Sequence, residues 1–191
     1  MDKIKVYTAP KVLDSSYALD FLRMAEDIFS LKNQNKPNII FDLKNVENTG
    51  ILGLLLVYKF VEFTVSNRCF LNPLLQYNPY IENKLKEYRF WNLLDSYMNS
   101  RAENNYHELE YQISDDFFIA PMPLLRSNKY TQNSLLPQIS KYYSDNEIRE
   151  SIVLECLNEI LLNFWEHAVD DTQSILVAKG TKNKMSFFAS L

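Results

Sequence analysis

Apolar residues recur at helical spacing through YALDFLRMAEDIFSL, at Leu19, Leu22, Met24, Ala25, Ile28 and Phe29. That period predicts an amphipathic helix over 17–31, with Ser15 or Ser16 as its N-cap. KNQNKP is a polar loop, and NIIFDL after it is apolar at successive positions, as in a central strand buried on both faces. KNVENTG turns the chain, and 50–65 is long and periodic enough for a second helix. RCFLNPLL reads as another strand. Pro79 opens a third helix, PYIENKLKEYRFWNLL, because proline is well tolerated in a first turn. Strand, helix, strand, helix in this order predicts an α/β layer.

The second half is patterned differently. Residues 100–106 are polar and aperiodic, which marks a candidate boundary. LEYQISDDFFIAPMPLL carries β-type residues up to Pro121, and RSNKYTQNS is a loop closed by Pro137. Ser144 and Glu147 stand at capping-box spacing. A helix starting there and ending near Ala168 has roughly 24 residues and a length of about 36 Å. Asp170 and Asp171 would oppose the macrodipole at its end, so they belong to the following loop. QSILVAK and KMSFFASL then form two strands joined by GTKN.

Composition narrows the function classes. With 191 residues and 47% hydrophobic content, the chain suffices for one large domain or two small ones. A net charge of -4, with aromatics not interleaved with Lys or Arg, argues against nucleic acid as a partner. Cys69 and Cys156 lie far apart among apolar neighbours and read as reduced, buried thiols. Two histidines are too few for a Cys/His metal site, and three isolated glycines form no phosphate-wrapping loop. The N-terminus has no signal-peptide core, and GILGLLLVYKFVEFTV is interrupted by Lys59 and Glu62 and too short for a bilayer. A cytoplasmic protein with no membrane partner is expected.

The candidate chemistry sits on the long helix. Four residues advance a helix by about 400°, so Glu155, Glu159, Asn163 and His167 form one slowly winding polar line. Ile152, Cys156, Ile160 and Phe164 form the adjacent apolar line, with Leu157, Leu161 and Trp165 beside it. One reading is a solvated helix face without function. The other is chemical. The Asn163 amide oxygen suits one position of a phosphate-bound Mg2+, Glu159 can accept a proton or orient a nucleophile, and His167 can donate to a phosphate oxygen.

ILLNFWEHA, preceded by Glu159, resembles the N box of the histidine-kinase-like (GHKL) ATPases, whose pattern is E-x-x-x-N-x-x-x-H-A on a long helix. The hairpin SILVAKGTKNKMSFFASL is similar to the strand pair that follows in that fold. The resemblance implies an α/β sandwich binding ATP and Mg2+, with Asn163 on the metal, Glu159 as the catalytic carboxylate and His167 at the nucleotide. It covers 144–191 and stops where the D-x-G-x-G box that reads adenine would begin. The expectation is therefore a truncated domain, unable to bind ATP alone.

NIIFDLKNVENTGILGLLLVYKFVEF, RCFLNPLL and NPYIENKLKEYRFWNLL together resemble a STAS domain, the anti-sigma-factor-antagonist fold. This implies a mixed sheet with helices over 1–100, a connecting segment over 101–143, and the partial ATPase domain over 144–191. Thr49 is the nearest match to the family's phosphoacceptor, but a cap or turn role is the plainer reading. The whole reads as an α/β (α+β) signalling protein, either a GHKL-type ATPase or anti-sigma-type serine kinase, or a non-catalytic interaction module. A protein partner is expected. Dimerisation, or docking of the hairpin on the first domain, would cover the open strand edge.

Overall fold

The computed structural model describes residues 4–31, 38–66, 70–91, 93–94, 111–112, 116–123, 131–144, 147–167, 174–181 and 184–190. The fold is mixed α/β, in two compact units, Met1–Asn105 and Tyr106–Leu191.

The first unit is built on three parallel strands in the order β1 (Ile4–Thr8), β3 (Asn38–Leu43), β5 (Phe70–Tyr77). Helix α1 (Ala18–Leu31) joins β1 to β3, and α2 (Ile51–Ser66) joins β3 to β5. The two crossovers step in the same direction, which places both helices on one face of the sheet, and α1 packs against α2. Ile39, Phe41 and Leu43 are fully buried, and the Phe41 ring lies 4.5 Å from that of Phe60 on α2. Asn38, Ile40 and Asp42 on the opposite face are half-buried. NIIFDL is thus a central strand, but with one fully buried face instead of the two expected.

A second parallel pair, β2 (Val12–Leu13) with β4 (Asn48–Thr49), flanks the start of α2. Helix α1 is preceded by a 3-10 turn, Ser15–Tyr17, whose cap is Asp14. The Asp14 Oδ1 accepts from the Ser16 N–H at 2.9 Å, so the expected serine cap is replaced by the residue before it. Of the apolar positions that predicted α1, Met24 and Ile28 are buried, whereas Leu19, Leu22 and Phe29 are exposed. Helix α2 is apolar nearly all round and correspondingly buried. Its interrupting charges, Lys59 and Glu62, form a 2.6 Å ion pair that is itself mostly shielded.

Helix α3 (Pro79–Glu87) carries proline in its first turn. Its N-cap, Asn78, accepts from the Ile81 N–H and donates to the carbonyls of Lys44 and Val46 at 2.9 and 2.8 Å. One side chain therefore caps α3 and holds the loop after β3. The helix ends at Tyr88, and Arg89 follows in the left-handed region at φ 55.

The second unit is an antiparallel sheet in the order β6 (Tyr111–Gln112), β7 (Asp116–Pro123), β8 (Ile175–Thr181), β9 (Lys184–Ser190). The β8–β9 hairpin closes at the Thr181–Lys184 pair. The register of β7 on β8 shifts between Ile119 and Met122, a stretch containing Pro121, which has no N–H to give the ladder. Helices α4 (Leu136–Tyr143) and α5 (Glu147–His167) pack together. Their core joins Leu136, Ile139, Leu157, Leu161 and Trp165 to Ile119, Leu176 and Ala178 of the sheet.

Residues 101–143, read in sequence as a connector, contribute β7 and α4 to this core. The β8 edge left open in the sequence reading, for a second copy or the first domain to cover, is taken by β7. Ser144 closes α4 by donating to the Ser140 carbonyl, instead of opening α5 in a capping box. Ser140, fully buried, donates its hydroxyl to the carbonyl of Glu150 and ties the two helices together.

Candidate functional site

Helix α5 has two faces of different character. Leu157, Leu161 and Trp165, at steps of four, point at the sheet and are 1%, 0% and 7% exposed. Val153, Leu154 and Phe164 pack partly against the same core. On the opposite face Ile148, Ile152 and Ile160 are 75%, 55% and 51% exposed. Cys156, between them on the same line, is also exposed. Its expected burial is corrected: apolar neighbours in sequence are not neighbours in space, because the core line is one residue further round the helix.

Glu155, Glu159 and Asn163 lie on this exposed face, in a line beside the isoleucines. The structure thus brings Glu159 and Asn163 together on one side, a single helical turn apart, with both side chains solvent-exposed. His167 is the last residue of α5; its side chain lies outside the described residues. A carboxylate and an amide oxygen are donors that a phosphate-bound Mg2+ can use, provided that phosphate and water supply the remaining ligands. The two alone are too few to hold the ion. Among the described residues, no group of three or more His, Cys, Asp and Glu is placed to bind a metal.

The other polar feature is in the first unit. An open cleft of about 450 Å³ is lined by Ala9, Pro10, Lys11, Lys44, Asn45 and Glu47. These residues leave the carboxyl ends of β1 and β3, where parallel sheets commonly present loops to ligands. The charges in it are already paired. Lys11 meets Glu47 at 2.7 Å, and this partner raises the lysine pKa. Lys44 meets Asp42 at 3.6 Å.

Thr49, the candidate phosphoacceptor, is buried at the end of β4. Its hydroxyl donates to the Leu13 carbonyl at 3.0 Å, and its N–H donates to the Tyr80 hydroxyl at 3.1 Å. Both contacts give the residue a structural role, linking β4 to β2 and to α3. Tyr7 and Asp27 form a second polar contact, between β1 and α1. The Tyr7 hydroxyl donates to Asp27 at 2.7 Å, and Lys5 also donates to that carboxylate.

No family model, curated protein or solved structure matches the chain. Among the described residues no helix is long and apolar enough to cross a membrane.

The polar line of α5 was legible from sequence, because helical spacing alone sets it. The exposed isoleucines beside it were missed as a surface. Ile148, Ile152, Cys156 and Ile160 follow the same step of four as the core line, so periodicity showed two apolar lines without saying which the sheet would cover.

Proposed function

We propose that this chain is a non-catalytic protein-interaction module of a cytoplasmic regulatory protein, and that the solvent face of α5 is its docking surface. One observation carries the reading: Ile148, Ile152 and Ile160 are exposed in a row on a helix whose opposite side is fully satisfied by its own core. Large apolar side chains aligned on a surface helix mark an interaction site more often than scattered ones do. The strand–helix order that resembles a STAS domain is consistent with such a role, since modules of that family act by binding other proteins.

The test is a photo-crosslinker placed at Ile152 or Ile160, followed by identification of the adduct and binding measurements with the purified partner. The wild-type chain should bind and the Ile152→Glu/Ile160→Glu variant should not. Equal binding by both would sink the proposal.

A second reading is favoured by a separate observation, the shared face and one-turn spacing of Glu159 and Asn163. In it, α5 is the N-box helix of a GHKL-type ATPase or serine kinase and supplies part of an ATP and Mg2+ site. Asn163 would then ligate Mg2+, Glu159 would act as base, and His167 would contact the nucleotide. A form of the chain that carries an adenine-reading segment should gain thermal stability with Mg-ATP, and Asn163→Ala should abolish the gain. No shift in that form would remove this reading and leave the first untouched.

A further inference from the structure

We infer that the occupant of the α5 face is a basic amphipathic helix of a different protein; this rests on the docking reading above and adds the partner's chemistry. Ile148 and Ile160, with Ile152 between them, stand twelve positions apart, about 18 Å of helix at 1.5 Å per residue. A line at steps of four drifts about 40° per step, so it forms a ridge that a second helix of about three turns meets by crossing at an angle.

Charge then chooses among helices. The sequence of α5, EIRESIVLECLNEILLNFWEH, has five glutamates and one arginine. Glu155, Glu159 and Glu166 are exposed and lie on one flank of the isoleucine line. Glu166 lies in the last turn, where the negative end of the macrodipole adds to the same field. Lys or Arg beside a partner's apolar stripe would meet this flank, and acidic residues would be repelled from it.

The same argument disfavours a second copy of α5. Antiparallel two-fold pairing sets each flank against its own equivalent, so Glu155 and Glu159 of one copy would face glutamates of the other. Parallel pairing offers them the opposite flank, where Arg149 is the helix's single arginine. Neither arrangement neutralises the acidic line.

The experiment uses the full chain and two designed helical peptides with the same leucine stripe, one flanked by lysines and the other by glutamates. Binding is read by fluorescence anisotropy, with variant folding checked by circular dichroism. The lysine peptide should bind about tenfold more tightly at low salt, with the gap closing as salt screens it. The Glu155→Lys/Glu159→Lys variant should reverse the order.

Equal affinity for the two peptides, or binding of neither, overturns the inference. Lysine preference that survives Ile152→Glu/Ile160→Glu undiminished overturns the docking reading itself, because the peptide would then sit elsewhere. Self-association lost in that same variant identifies a second copy as the occupant, which refutes the basic partner but keeps the docking surface.

Discussion

A β-carbon on Gly53 would stand 2.1 Å from the backbone carbonyl oxygen of Leu13. It would also stand 2.2 Å from the Thr49 hydroxyl oxygen, which donates to that same carbonyl. Helix α2 and strand β2 approach so closely that only a hydrogen fits between them. The glycine is there for packing, since its backbone lies inside a helix, where glycine is otherwise unfavourable.

Gly53→Ala should therefore destabilise the first unit, although alanine is the better helix former. Overpacking of this kind costs about 3 kcal/mol when the obstacle is backbone. Urea unfolding measures it, and an unchanged or raised midpoint would contradict the close approach. Gly50→Ala is the control, as nothing lies within 4 Å of its β-carbon position.

The two faces of α5 should respond oppositely to truncation. Leu161→Ala leaves a hole between helix and sheet, with an expected cost of about 2–5 kcal/mol. Ile152→Ala, on the exposed line, should stay within about 0.5 kcal/mol. Equal losses would mean that the helix is rotated relative to the arrangement described above.

Arg89 occupies the left-handed region immediately after α3. A side chain there costs about 1 kcal/mol that glycine avoids, and the position after a helix end is where glycine is commonest. Arg89→Gly should raise the unfolding midpoint, provided that the arginine's own contacts contribute less than this. A fall in stability would show that the side chain outweighs the backbone.

Acid should loosen the β1–α1 contact. Hydrogen bonds from Lys5 and then Tyr7 hold the Asp27 carboxyl below its ordinary pKa. A depressed folded-state pKa means that the stabilisation is complete above the ordinary carboxylate value of about 4. It is lost as pH falls through the folded value. The Asp27 side chain is 40% exposed, so solvent screening limits the effect to under about 1 kcal/mol. Asp27→Asn should flatten this part of the acid limb, as followed by thermal melts between pH 6 and about pH 2. Tyr7 is shifted the other way, upward, chiefly by burial and then by Asp27. Its contribution is present below its ordinary pKa and declines at higher pH.

Local order was well marked in the chain. NIIFDL, the apolar 50–65 segment and Pro79 announced β3, α2 and α3 because period, length and proline geometry act within a few residues. Helix α4 is poorly marked in the chain: Leu135, Leu136, Ile139 and Tyr142 have helical spacing, but a polar stretch and Pro137 mask its start. Glu159 and Asn163 were correctly placed on one helix line, but their surroundings were not legible.

The sequence by itself determined which residues share a helix face or a strand face, since the backbone repeat fixes that without reference to anything distant. Only the tertiary structure decided which of the two apolar lines on α5 meets the sheet, that β7 from the middle of the chain takes the edge of β8, and that Gly53 must yield to Leu13. Each of these depends on contacts between residues far apart in sequence. A repeating pattern can show that an apolar line needs covering, but it cannot name what covers it.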